Sequence, residues 1–304
     1  LTESINTIFD HNIKLLGDID RAIYYFREQQ YDKALTIVAN SIDEIKFVIE
    51  TIISNQEYFN LVATESLLEM LTGILNAKKN KDFILLADLL QLQLINFLVG
   101  VQELIISKEE MVFDEKNYKE NIDLLVSQGI GFQEEFKATI NTSELLEKGY
   151  RVEFTSCGQM TLAAMNEGAM FYFHTNNMIR SEAFTLAKHW YRKDKNKYII
   201  FGLGMGYHVS ELLEMADDIE IEVYETDENV LKLACAFADI KQLLRNPRLK
   251  LVYDPELSRL KQRISDVKEE EFVIHYPSYK NIRSSENKQL IHAQLSWIET
   301  IEAL

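Results

Sequence analysis

The stretch "YIIFGLGMGYHVSELLEM", residues 198–215, decides the fold. A short apolar run, Tyr198 to Phe201, leads into glycines at 202, 204 and 206, and a helical pattern follows. Strand, glycine turn, helix is how a βαβ unit begins. Gly202, Gly204 and Gly206 lack the Cβ atoms that would hold a ligand off the backbone, and they admit positive φ. The following helix aims its first amides at the same place. In an open α/β sheet, ligands bind beyond the carboxyl ends of the strands. The turn is therefore expected to hold a ligand.

Working outward, the second half of the chain repeats this texture. Short β-type runs occur at "YRVEFTS" (150–156), "AMFYFH" (169–174), "KYIIFGL" (197–203), "IEIEVYE" (219–225), "LKLVYD" (249–254) and "EFVIHY" (271–276). Helical patterns separate the last four, as in a largely parallel sheet. Residues 1–137 differ: they contain no proline, and apolar residues recur at threes and fours, as in Ile5, Ile8, Phe9, Ile13, Leu16, Ile19, Ile23 and Phe26. Long helices are expected near 4–29, 32–54, 57–78 and 81–106, with a shorter one near 115–137. The fold class is thus α/β: an all-α helical bundle over 1–140, then a Rossmann-like, mostly parallel sheet domain over 141–304.

Composition narrows the function. The 304 residues carry a formal net charge of −16, which opposes a nucleic-acid grip through phosphates and docking on an anionic membrane. Two cysteines, Cys157 and Cys235, with no CxxC spacing, give neither a disulfide framework nor a zinc motif. A reduced, cytoplasmic protein is expected, with no metal. No basic-then-apolar leader opens the sequence, and Leu1 in place of Met suggests a trimmed chain. The most apolar run, "FILLADLLQLQLINFLVGVQELII" (83–106), is broken by Asp88, Gln91, Gln93 and Asn96. It reads as too polar to span a bilayer and as a buried bundle helix.

The spacing of the glycines separates candidate ligands. A dinucleotide fingerprint GxGxxG would need its third glycine at Tyr207 and fails. The GxGxG present is similar to motif I of class I S-adenosylmethionine methyltransferases. Glu225 follows the first glycine by about 20 residues, where an acid accepts ribose hydroxyls. By that resemblance Gly202, Gly204, Gly206 and Glu225 would bind S-adenosylmethionine, Asp254 would lie near adenine, and Asp227 would cap the next helix. Two departures stand out. Ile200 occupies the position two before the first glycine, where many such enzymes carry an acid. "HYPSY" (275–279) keeps an aromatic–proline rhythm but lacks the Asn or Asp of amino-directed base methylation. No catalytic residue is assigned. His208, His275, Tyr276 and Tyr279 are expected near the pocket mouth with Tyr207, and His174 and Arg180 on a second wall from "FHTNNMIRSE" (173–182).

"FYFHTNNMIRSEAFTLA" followed by "YIIFGLGMGYHVSELLE" and "IEVYETDENVLKLA" resembles the N-terminal Rossmann-like domain of motility accessory factor glycosyltransferases, bacterial proteins linked to flagellin decoration. In that family, sugar transfer is assigned to a following domain, so the resemblance implies no transfer site here. "LLGDIDRAIYYFREQQYDKALTIVANSIDEIKFVIETIIS" (15–54) is similar to flagellin-binding export chaperones, which implies a protein partner such as a flagellin-like segment in a bundle groove. A homodimer through the bundle is equally compatible. Two functions follow: an S-adenosylmethionine-dependent methyltransferase, or methyltransferase-like protein, of unknown acceptor, or a non-catalytic accessory module of flagellin or surface glycosylation.

Overall fold

A computed structural model describes residues 2–60, 67–108, 113, 115–130, 140–155, 157–238, 240–265 and 271–302. The chain divides into two compact units.

The first unit comprises Leu1–Asp114 with Phe154–Gln159. It holds α1 (Thr2–Arg27), α2 (Tyr31–Asn40), α3 (Ile42–Ser54), α4 (Leu67–Lys79), α5 (Phe83–Leu89) and α6 (Ile95–Lys108). Helix α1 is central and packs on α2, α3, α5 and α6. Its Ile5, Ile8, Phe9, Leu15, Leu16 and Ile19 are buried. Buried amides tie it to α6: Asn12 Nδ2 donates to the Leu98 carbonyl at 2.8 Å, and Gln102 Nε2 to the Phe9 carbonyl at 3.1 Å.

The helix expected over 32–54 is two, broken at Ser41, whose hydroxyl turns back to the Ile37 carbonyl at 2.9 Å. The helix expected near 57–78 is described only from Leu67, and residues 61–66 lie outside the described residues. The apolar run continues from α5 through a π-helical segment, Leu90–Leu94, into α6. Its four polar interruptions are too few to keep it from qualifying as a span. Phe83–Lys108 is long and apolar enough to cross a membrane by length and composition, with mean hydropathy 1.9, and 39% of its most apolar window is buried. This corrects the expectation of a helix too polar to span.

The second unit comprises Glu115–Glu153 and Met160–Leu304. The division thus falls earlier than residue 140. The reason is α7 (Glu115–Ser127), which packs against helices of the sheet unit. Asn121 Nδ2 donates to the Cys235 carbonyl at 2.9 Å, and Gln128 Nε2, just past α7, to the Leu244 carbonyl at 2.5 Å. The part of this expected helix over 131–137 lies outside the described residues.

After α8 (Thr142–Glu147) come β1 (Tyr150–Phe154), β2 (Met160–Asn166) and β3 (Ala169–Tyr172), a three-stranded sheet in that order. The sequence reading missed β2. It is joined antiparallel to β3 through Glu167 and Gly168, both at positive φ, as a two-residue hairpin requires.

The remainder is α9 (Ile179–Trp190), β4 (Lys197–Phe201), α10 (Tyr207–Leu213), β5 (Glu220–Glu225), α11 (Glu228–Phe237), α12 (Lys241–Arg245), β6 (Leu249–Tyr253), α13 (Ser258–Ser265), β7 (Glu271–Ile274), α14 (Tyr276–Asn281) and α15 (Ser285–Glu302). Strands β4 to β7 form a parallel sheet of order β6-β5-β4-β7. The order reverses between β4 and β7, which is the switch point of a doubly wound sheet. Ile199, Phe201, Tyr224, Val252, Leu257, Leu260, Ile274 and Ile291 form one buried cluster of this unit.

Candidate functional site

The site is built from the carboxyl ends of the four parallel strands. After β4 the chain turns through Gly202, Gly204 and Gly206, with φ of +100°, +52° and +82°. The Gly202 amide still donates to the Tyr224 carbonyl at 2.8 Å, so the turn leaves the sheet only after its first residue.

The turn is closed from two sides. From β5, the Glu225 carboxylate accepts the Leu203 amide at 2.9 Å on one oxygen, and the Thr226 and Asp227 amides at 2.8 and 3.1 Å on the other. The side chain is buried. Burial raises its pKa from the usual 4.5 to about 7, against the lowering pull of those amides and with the Asp227 charge adding to the rise.

From the other side, the chain's own side chains take the space beside the glycine backbone. A Cβ on Gly202 would sit 2.2 Å from Ser278 Oγ, and one on Gly204 would sit 2.8 Å from His174 Nε2. The bare backbone therefore serves close packing, and the volume a ligand would enter at the turn is held by His174, His275 and Ser278.

Three histidines meet there. His174 follows β3, His208 lies in the first turn of α10, and His275 follows β7; none is more than 1% exposed. His208 and His275 lie 4.3 Å apart between ring centres, with His174 5.5 and 5.1 Å from them. Burial, with the neighbouring imidazoles, lowers the pKa of His208 to about 3 and that of His275 well below the usual 6.5. Both are neutral near pH 7.

Tyr207 meets the His174 ring edge-on at 5.1 Å. Arg180 is buried and paired with Glu211 at 2.8 Å, with its guanidinium 5.9 Å from the Tyr207 ring. Tyr276 stays outside this group: it is half exposed and lies against Tyr279 instead.

Asp254 closes β6 and is buried. Its carboxylate accepts the Leu260 amide at 2.8 Å and meets the Ser258 hydroxyl at 3.4 Å, which holds the start of α13. Asp227 is the N-cap of α11, accepting the Asn229 amide at 2.9 Å, as the sequence indicated. Its second oxygen accepts Asn281 Nδ2 at 2.6 Å and the Tyr150 hydroxyl.

An open cavity of about 400 Å³ lies beside Asp227, at the ends of β5 and β6. Thr226, Glu228 and Asn229 line one side, Tyr253 and Pro255 another, and Arg283 and Lys148 bring positive charge. The Arg283 guanidinium lies 5.6 Å from the Tyr150 ring and donates to the Lys148 carbonyl at 2.9 Å. None of Gly202, Gly204, Gly206, Glu225 and Asp254 lines this cavity. Sequence reasoning did not pick out Lys148, Tyr150, Tyr253, Asn281 or Arg283; the available signal was the position of Tyr253 at a strand's carboxyl end.

A parallel sheet reversing at β4, with a glycine turn after that strand and an acid ending the next, defines a Rossmann-like domain. The family model described as the glycosyltransferase Maf N-terminal domain matches residues 108–271, over half of the chain, and the chain belongs to that family. A crystal structure of MNMC2 from Aquifex aeolicus is similar at 16% identity and a TM-score of 0.23, covering 51% of this chain and 59% of that one. No curated protein matches the chain.

Proposed function

We propose that this chain is a non-catalytic, ligand-binding module serving glycosyl transfer to a flagellin-type or other surface protein, and that it takes a nucleotide-type ligand in the cavity at the ends of β5 and β6. One observation carries this reading. The glycine turn is filled by His174, His275 and Ser278, and the Glu225 carboxylate is engaged by three backbone amides, while the open volume lies one strand further along. The chemistry of the cavity suits a nucleoside phosphate. Glu228 offers an acceptor to ribose hydroxyls, Tyr253 offers a ring, and Arg283 offers a cation to phosphate. In the helical unit, exposed Leu68, Leu75 and Leu92 supply apolar surface for a protein segment.

S-adenosylmethionine binding, with methyl transfer, is the second reading. It is supported by the same cavity, because Asp227 and Glu228, just past β5, line it. Thermal unfolding of the full chain with CMP- and UDP-sugars, S-adenosylmethionine and S-adenosylhomocysteine separates the two. Ligand at a hundredfold over its dissociation constant contributes about 2.7 kcal/mol, a rise of a few degrees. A rise with nucleotide sugars that Arg283→Ala removes supports the module. A rise with the S-adenosyl compounds alone supports the methyltransferase. No rise with any of them refutes a ligand seat for either class.

A further inference from the structure

We propose that His174, His208 and His275 form a buried site for a divalent transition-metal ion, with zinc the best chemical match, which clamps the ends of β3 and β7 to α10 across the glycine turn. One ring nitrogen of each lies within 4.8 Å of one from each of the others.

The partners of the rings carry the inference. In metal sites, a ligating histidine has its second nitrogen held by a carboxylate, carbonyl or hydroxyl, which fixes the tautomer and aims the first. Two of the three rings show this arrangement, and the third has a carboxylate nearby but beyond hydrogen-bond distance. His208 Nε2 faces the Gly202 carbonyl at 3.1 Å, His275 Nδ1 faces the Ser278 hydroxyl at 2.8 Å, and His174 Nδ1 faces the Glu182 carboxylate at 3.6 Å. The ligating nitrogens are then His208 Nδ1, His275 Nε2 and His174 Nε2. The first two are buried without a hydrogen-bond partner. The third accepts the Met205 amide at 3.1 Å, a bond that ligation would replace. Unpartnered buried lone pairs are costly, and a shared cation removes the cost.

Three imidazole ligands without a carboxylate select zinc and its neighbours over magnesium or calcium. Zinc–nitrogen bonds of 2.0–2.1 Å place tetrahedral ligand nitrogens about 3.4 Å apart. The His208 and His275 planes differ by 13°, so binding turns at least one ring and draws the group inward by about 1 Å. Among the described residues the group consists of these three histidines, so the fourth position falls to a water.

The test is a Co²⁺ titration of the chelator-treated full chain, read by the visible absorption of tetrahedral cobalt, beside a Zn²⁺ titration read by thermal unfolding. The expected result is one equivalent bound at micromolar metal, a rise of several degrees with Zn²⁺, and loss of the cobalt spectrum in H208Q and H275Q but not in H189Q, whose parent residue is exposed on α9. X-ray absorption of the zinc-loaded wild type should show three imidazole ligands, a readout that stands even if the variants fail to fold. Absence of stoichiometric binding by the wild type, or a cobalt spectrum that survives in both H208Q and H275Q, would overturn the proposal.

Discussion

At Gly202 a single methyl group distinguishes a packed turn from an open one. Its φ of +100° disfavours any L side chain, and an added Cβ would collide with Ser278 at 2.2–2.3 Å. Gly129 has a similar φ of +82°, but among the described residues no atom lies within 4 Å of its would-be Cβ. Gly129→Ala should therefore cost only backbone strain, about 1 kcal/mol, and Gly202→Ala should cost about 3 kcal/mol because overpacking adds to strain. Urea unfolding of both variants checks this, and equal losses would show that the space above the turn yields freely. The turn itself was legible in the sequence, because glycine at alternate positions after an apolar run announces positive φ. Its covering was not, because His174, His275 and Ser278 come from segments far apart in the chain and meet only when β3 and β7 are in place. The sequence marked His174, His208 and His275 singly as pocket candidates; their meeting is a tertiary fact.

At the scale of elements, α9 and α10 are joined by Arg180 and Glu211, paired at 2.8 Å with both residues buried. Removing one partner strands a charge away from water, so Arg180→Met should cost about 3–5 kcal/mol. Arg180→Met combined with Glu211→Leu should cost less than Arg180→Met alone, since no charge is then left unpaired. A double-mutant cycle by chemical denaturation measures this, and strictly additive losses would contradict it. Strands β4 to β7 could be read from the chain because buried parallel strands are nearly continuous apolar runs between helices. Strand β2, "MTLAAMN", could not: it is rich in small residues, and its hairpin partner and the Glu167–Gly168 turn were the missing cue. The break at Ser41 escaped for a related reason, since one serine hydroxyl bonding backward interrupts a helix without disturbing its apolar period.

At the scale of the whole molecule, the change in period near residue 140 marks where the strand-type runs begin, while α7 shows that period alone does not assign a helix to its unit. Its apolar face serves α11 and α12 as well as it would serve a bundle. The cavity was the least legible feature, because it draws its walls from Lys148, Tyr150, residues 226–229, Tyr253, Pro255, residues 281–284 and Asn287. No spacing rule connects such segments before the sheet is assembled. The most direct measurement is amide chemical-shift mapping of the full chain titrated with CMP or UDP. Shifts confined to Thr226–Asn229, Tyr253 and Asn281–Ser284 are predicted. Shifts centred instead on Leu203–Tyr207 would place the ligand at the glycine turn and contradict a seat at the ends of β5 and β6.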